Sequence, residues 1–198
     1  MGNKEDLLAG ALECLRTRGW TRTTVRDIAE AAGVNHAAIG YHFGSRDALL
    51  TEAFTQAMDT WGAETTRAVE AATISDAGRG GQYEVFWRSV LASYAENRWL
   101  WLVMMEVAVQ TAHSPTLRDL MATSLREGRI GLAAGLLGIP QDTLDSRSER
   151  SLGSLQMALV SGIFIQWVLD TEATPDEHEI SDGIRTLADQ IRLPPELA

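Results

Sequence analysis

Between Thr24 and Phe43 the chain writes two amphipathic segments too short to be stable alone. Val25, Ile28, Ala29 and Ala32 fall at i, i+3, i+4 and i+7, one face of a short helix. Thr24-Val25-Arg26-Asp27 in front of it is a Thr-x-x-acid capping signature. Gly33 ends that helix, Val34 plugs the turn, and Asn35 is a good N-cap for a second short helix through about His42. Isolated helices of this length are marginal in water, so the pair must share a core with its neighbours. Small Ala29 suits a helix crossing, and Val34 and Ile39 are the expected anchors. Two short helices joined by a tight glycine turn form a helix-turn-helix, whose second helix can lie in the major groove of DNA. Outward-facing Asn35, His36, Tyr41 and His42 are hydrogen-bonding side chains suited to base edges and phosphates. On spacing alone an ordinary helical hairpin fits equally well.

The helical period continues along the chain, and no stretch reads as a strand. Leu8, Ala11, Leu12 and Leu15 give a first apolar face, stopped at Gly19. Ser45 caps a long fourth helix to about Ala72, and the glycine-rich stretch from Thr73 to Gln82 reads as a connection. Helices are expected at Tyr83–Glu96, Trp99–Gln110, Pro115–Leu137 and Arg147–Leu169. A ninth opens at Thr174-Pro175 and ends before Pro194-Pro195. The expected fold is all-α with nine helices, divided into an N-terminal head over residues 1–46 and a helical body over 47–198.

Charge bears on what such a head can touch. The 198 residues carry a formal charge of −10, which at first argues against a nucleic-acid partner. Residues 1–50, however, hold six basic and six acidic groups, and the remainder carries the whole excess. Exposed charges beyond about 8 Å are largely screened at physiological salt, so the neutral head governs docking. One cysteine excludes an internal disulfide framework. The first residues lack the apolar core of a secretion signal. The most apolar runs, Trp99–Val109 and Met157–Leu169, fall short of the roughly 18 residues a bilayer span needs. A cytoplasmic protein with no membrane partner is expected.

The run TTVRDIAEAAGVNHAAIGYHFGSRDALL closely resembles the DNA-binding segment of the tetracycline-repressor (TetR) family. The resemblance rests on Thr24, Ile28, Ala29, Ala32, Gly33, Val34, Tyr41, His42, Phe43, Arg46 and Asp47, and covers about residues 5–50. It implies that Thr24, Tyr41, His42 and Arg46 grip phosphates. It also implies that Arg26, Asn35, His36, Ala37 and Ala38 face base edges. Gly40 departs from the family pattern, standing where many members carry an aromatic contact residue.

After residue 50 no fingerprint names a ligand. Trp61, Phe86, Trp87, Tyr94, Met105 and Met121 recur at helical spacing, for which plain core packing is the default. The family resemblance implies an enclosed effector site in the body, and makes these six side chains candidates for it. Glu106, His113 and Gln156 are the polar groups able to orient a ligand. Glu106 interrupts the apolar run WLVMMEVAV, where a carboxylate is costly unless paired or used. Leu152, Leu155, Leu159 and Ile163 form one apolar seam, and Ile180, Ile184, Leu187 and Ile191 another. Each suits internal packing equally well. The resemblance implies that both line a homodimer interface, and one reading head alone meets only one half-site.

The four histidines and Cys14 show no metal-ligand spacing, and Asp176-Glu177-His178-Glu179 reads as the solvated first turn of the last helix. No catalytic constellation and no cofactor motif is visible. The expected function is a ligand-responsive transcriptional regulator: a repressor released from a palindromic DNA operator by a small, largely apolar or aromatic effector. An all-α small-molecule enzyme, or a protein-interaction module without DNA binding, is the alternative.

Overall fold

The computed structural model describes residues 3–73 and 78–191, and among them every regular element is helical. The order is α1 (Asn3–Arg18), α2 (Val25–Ala32), α3 (Ala37–Phe43), α4 (Arg46–Thr73), α5 (Gly78–Glu96), α6 (Arg98–Thr111), α7 (Pro115–Leu137), α8 (Ser146–Leu169) and α9 (Glu177–Ile191). A 3-10 turn at Gln141–Thr143 leads into α8. The nine helices expected from the sequence are the nine described.

Several boundaries follow the local chemistry anticipated. Gly19, Gly33, Gly44 and Gly138 take left-handed backbone where helices stop. Ser114 caps α7 through its side chain to Leu117 N–H, with Pro115 in the first turn. Other boundaries differ. Gly78, Gly80 and Gly81, expected in a connection, lie inside α5. The last helix begins at Glu177 rather than at Thr174-Pro175, because Asp176 accepts the His178 and Glu179 N–H groups, each at 2.9 Å. Pro194-Pro195 lies outside the described residues.

The helix α8 runs 24 residues, long and apolar enough by length and composition to cross a bilayer. The apolar run Met157–Leu169 read from the sequence is its C-terminal part, lengthened by the uncharged residues Ser151–Gln156, while Arg147, Glu149 and Arg150 make its first turns charged. One turn of it, Glu149–Gly153, is π-helical. There Gly153 lies so close to the Arg129 carbonyl that no Cβ fits, and buried Glu149 pairs with Arg129 at 3.1 Å.

The chain packs as two compact units: residues 1–62 with 97–157, and residues 63–96 with 158–198. This division does not follow the sequence boundary at 46/47. In the first unit, α1–α3 share one core with the start of α4 and with α6. Leu7, Leu15, Trp20, Ile28, Ile39, Leu50 and Phe54 are buried together with Leu100, Val103 and Val107. In the second unit, α9 packs on α5, and Ile180 and Ser181 of α9 are buried. Arg88–Glu177 at 2.8 Å and Glu84–Arg185 at 3.3 Å flank that contact.

Candidate nucleic-acid interface

The helix-turn-helix is built from caps and one close helix crossing. Thr24 Oγ1 accepts the Asp27 N–H at 3.2 Å, while Asp27 Oδ2 accepts the Thr24 N–H at 2.8 Å. Hydrogen bonds from Thr24, with Arg18 at 2.9 Å behind them, hold the Asp27 carboxyl below the usual carboxylate range. At Gly10, α1 crosses α2 so tightly that a Cβ would stand 2.9 Å from Ala32 N. Helical period alone does not single out that glycine. Its signal is a residue costing about 0.5–1 kcal/mol within a helix, tolerated where backbones meet.

Gly33 (φ 65°) turns the chain into α3, and its N–H and that of Val34 cap α2 on the Glu30 and Ala29 carbonyls. Asn35 Oδ1 accepts the Ala37 N–H at 2.9 Å, supplying the cap expected of it although His36 occupies the N-cap position. The α3 helix buries Ile39 at 2% exposure and leaves Tyr41 86% exposed. Asn35, His36, Ala37 and His42 are exposed with it, and the Tyr41 and His42 rings meet edge to face at 4.9 Å. Arg26, on α2, is also exposed.

Three residues of the expected DNA set are occupied otherwise. Ala38 is half-buried and packs against the core. The Thr24 hydroxyl is engaged by Asp27 as both donor and acceptor. Arg46 turns inward: Nε donates to the Thr23 carbonyl at 2.5 Å, a terminal nitrogen to the Trp20 carbonyl, and the other to Asp47 at 2.6 Å. Its guanidinium also lies over the Trp20 ring at 6.0 Å.

The expected ligand set divides between the units. In the first, Trp61 meets Trp101 edge to face at 5.0 Å, Met105 is half-buried, Met121 packs on the core, and Gln156 is buried. Glu106 does not stand free for a ligand: Oε2 accepts the Thr21 N–H at 2.8 Å. His113 is exposed. In the second unit, Phe86 and Trp87 pack at 5.6 Å, and buried Tyr94 donates to the Val160 carbonyl at 2.7 Å. Burial raises the Tyr94 hydroxyl pKa well above its ordinary value. The indole N–H groups of Trp61 and Trp87 are buried and meet no acceptor among the described residues. A groove of 280 Å³ between α1 and α4, lined by Glu5, Leu8, Ala9, Leu12, Ala53 and Gln56, includes none of these candidates.

The residues expected to form dimer seams differ in their exposure on the single chain. On α8, Leu152, Leu159 and Ile163 are half-buried, while Leu155, Ile165 and Leu169 are exposed. On α9, Ile180 is buried and Ile184 half-buried, whereas Leu187 and Ile191 stand 58% and 71% exposed.

Residues 7–53 match the family model of bacterial regulatory proteins, tetR family. The fold is shared with a transcriptional regulator from Streptomyces coelicolor A3(2), at 24% identity and TM-score 0.68, over 92% of this chain and 95% of that one. It is shared with a transcriptional regulator from Rhodococcus sp. RHA1, at 18% identity and TM-score 0.70, over 96% and 97%. A third similar structure is the multidrug binding protein EbrR complexed with proflavin, at 20% identity and TM-score 0.65, over 94% and 99%. At these identities the likeness is one of fold.

Proposed function

Taking residues 7–53 as a tetR-family DNA-binding segment, we propose that the chain is a ligand-responsive transcriptional regulator, a repressor that leaves its operator when an effector binds. The observation that carries this is that α3 anchors Ile39 in the core while its Tyr41 and His42, and Asn35 and His36 just before it, are exposed. Those side chains donate and accept hydrogen bonds, as base edges and phosphates require. The locally neutral charge of residues 1–50 leaves the head free of the repulsion that the acidic remainder exerts on DNA.

A single head reads one half-site, so a two-fold dimer on a palindrome follows, with heads about 34 Å apart or a multiple of that. The exposed apolar side chains of α8 and α9 support pairing with a second copy in the cytoplasm. Within the first unit, Trp61 meets Trp101 edge to face and its indole N–H has no acceptor among the described residues, which favours a small aromatic or apolar effector carrying an acceptor atom there. A hundredfold preference of that effector for the conformer that does not bind DNA supplies about 2.7 kcal/mol of coupling.

The test is binding of the purified chain to DNA upstream of its own gene, with Tyr41→Ala and His42→Ala beside the wild type. Both substitutions are expected to weaken binding, and wild-type affinity in both defeats the assignment. A panel of planar aromatic dyes, proflavin among them, followed by tryptophan fluorescence, tests the effector class. No quenching by any member counts against an aromatic effector.

A further inference from the structure

The turn between α1 and α2 is held by two side chains of opposite charge, one from α6 and one from the start of α4. Glu106, on α6, accepts the Thr21 N–H at 2.8 Å across 85 positions of sequence. Gly19 (φ 79°) lies against the same carboxylate, and a Cβ there would stand 2.5 Å from Glu106 Oε1. Arg46, the first residue of α4, donates instead to the Trp20 and Thr23 carbonyls. The acid therefore holds an N–H of the turn and the base holds its carbonyls, each a charge-assisted bond. Within the turn, Thr23 Oγ1 donates to the Gly19 carbonyl at 2.6 Å. Thr24 follows at once and caps α2, which supports α3 through the shared core of Ile28 and Ile39.

The geometry points to Glu106 and Arg46 as positioning residues for DNA docking. They fix the 19–23 turn against α6 and α4, and through α2 they set the aim of α3, without touching DNA themselves. This rests on the DNA-binding reading above, and it gives both residues a role different from the phosphate and effector contacts expected from the sequence. The carboxylate of Glu106 makes the turn answerable to α6, and the guanidinium of Arg46 ties it to the start of α4, which Gly44 and Ser45 separate from the end of α3.

The probe is double-stranded DNA enriched from sheared genomic fragments by the full-length wild-type chain. Glu106→Ala removes the acceptor and is expected to weaken binding about ten- to hundredfold. Glu106→Gln keeps an oxygen facing Thr21 and stays within about threefold, since an amide carbonyl still accepts the bond. Hydrogen exchange at the Thr21 amide is expected to accelerate in the first variant and stay slow in the second. Because neither residue meets a phosphate, Arg46→Gln lowers affinity while leaving the salt slope of binding unchanged. A slope reduced by about 0.9 would make Arg46 a phosphate contact and overturn its part in the clamp. Wild-type affinity in Glu106→Ala, or equal losses in Glu106→Ala and Glu106→Gln, overturns the role of Glu106. A wild type that enriches no fragment overturns the DNA reading itself, while Thr21 exchange still reports the clamp separately.

Discussion

Thr24 and Asp27 hold one another in both directions, each backbone N–H bonded to the other's side-chain oxygen, at 2.8 and 3.2 Å. This reciprocal cap satisfies two of the donors that a helix N-terminus leaves open, and it fixes where α2 begins. Arg18, in the last turn of α1, adds its charge at 2.9 Å.

Because those bonds keep the Asp27 carboxyl below its ordinary value, they stabilise the fold only while it is ionised in the folded state. Their contribution is complete above the unfolded value, near about 4, and is lost as pH falls through the lower folded value. Asp27→Asn is therefore less stable than wild type at pH 7, and the gap closes in acid. Urea unfolding at both pH values measures this, and a gap that stays constant contradicts the assignment.

Tyr41 is almost wholly outside the core, so Tyr41→Ala is expected to leave unfolding stability within about 0.5 kcal/mol of wild type while weakening DNA binding. Arg26→Ala is expected to cost about 1–3 kcal/mol at one base pair and relax preference there. Fluorescence anisotropy on matched and single-mismatch duplexes separates the two behaviours. A uniform loss across all sequences for Arg26→Ala would place it on phosphate.

Three glycines of the head are expected to respond in three ways. Gly33→Ala meets open space but a φ of 65°, costing about 1–2 kcal/mol. Gly10→Val forces α1 from the backbone of α2, costing about 1–3 kcal/mol or more. Gly40, exposed in α3 with nothing near its missing Cβ, gains about 0.5–1 kcal/mol on substitution by Ala. Thermal unfolding of the three variants checks the order, and a destabilised Gly40→Ala contradicts it.

Leu187→Glu together with Ile191→Glu places charge on the exposed apolar end of α9, where neither side chain is part of the core. The pair is expected to convert a dimer to a folded monomer by light scattering and to weaken binding to a palindrome. Retained dimers would exclude this face from the interface. Substitution of buried Ile180 is expected to lower the unfolding midpoint instead.

The helices, their stops and the helix-turn-helix were legible along the chain, because caps, glycine turns and apolar period are local chemistry. Thr24 with Asp27, Gly33, and Asn35 each work within a few residues of themselves, so their roles needed no knowledge of distant partners. Even Glu106 announced a partner, since a carboxylate in WLVMMEVAV must find one. Its identity, Thr21, lies 85 positions away and follows only from how α6 meets the α1–α2 turn. The same holds for Arg46, whose motif position gives a cation while its neighbours decide that it faces carbonyls. Periodicity likewise places Leu155, Leu159 and Ile163 on a stripe of α8, yet three-dimensional packing leaves only Leu155 of these exposed and exposes Ile165 and Leu169 off the stripe. Local hydrogen bonds and helical period are written in the sequence. Which face is covered, and which charge meets which peptide, depends on contacts between segments far apart in it, and these the tertiary structure alone decided.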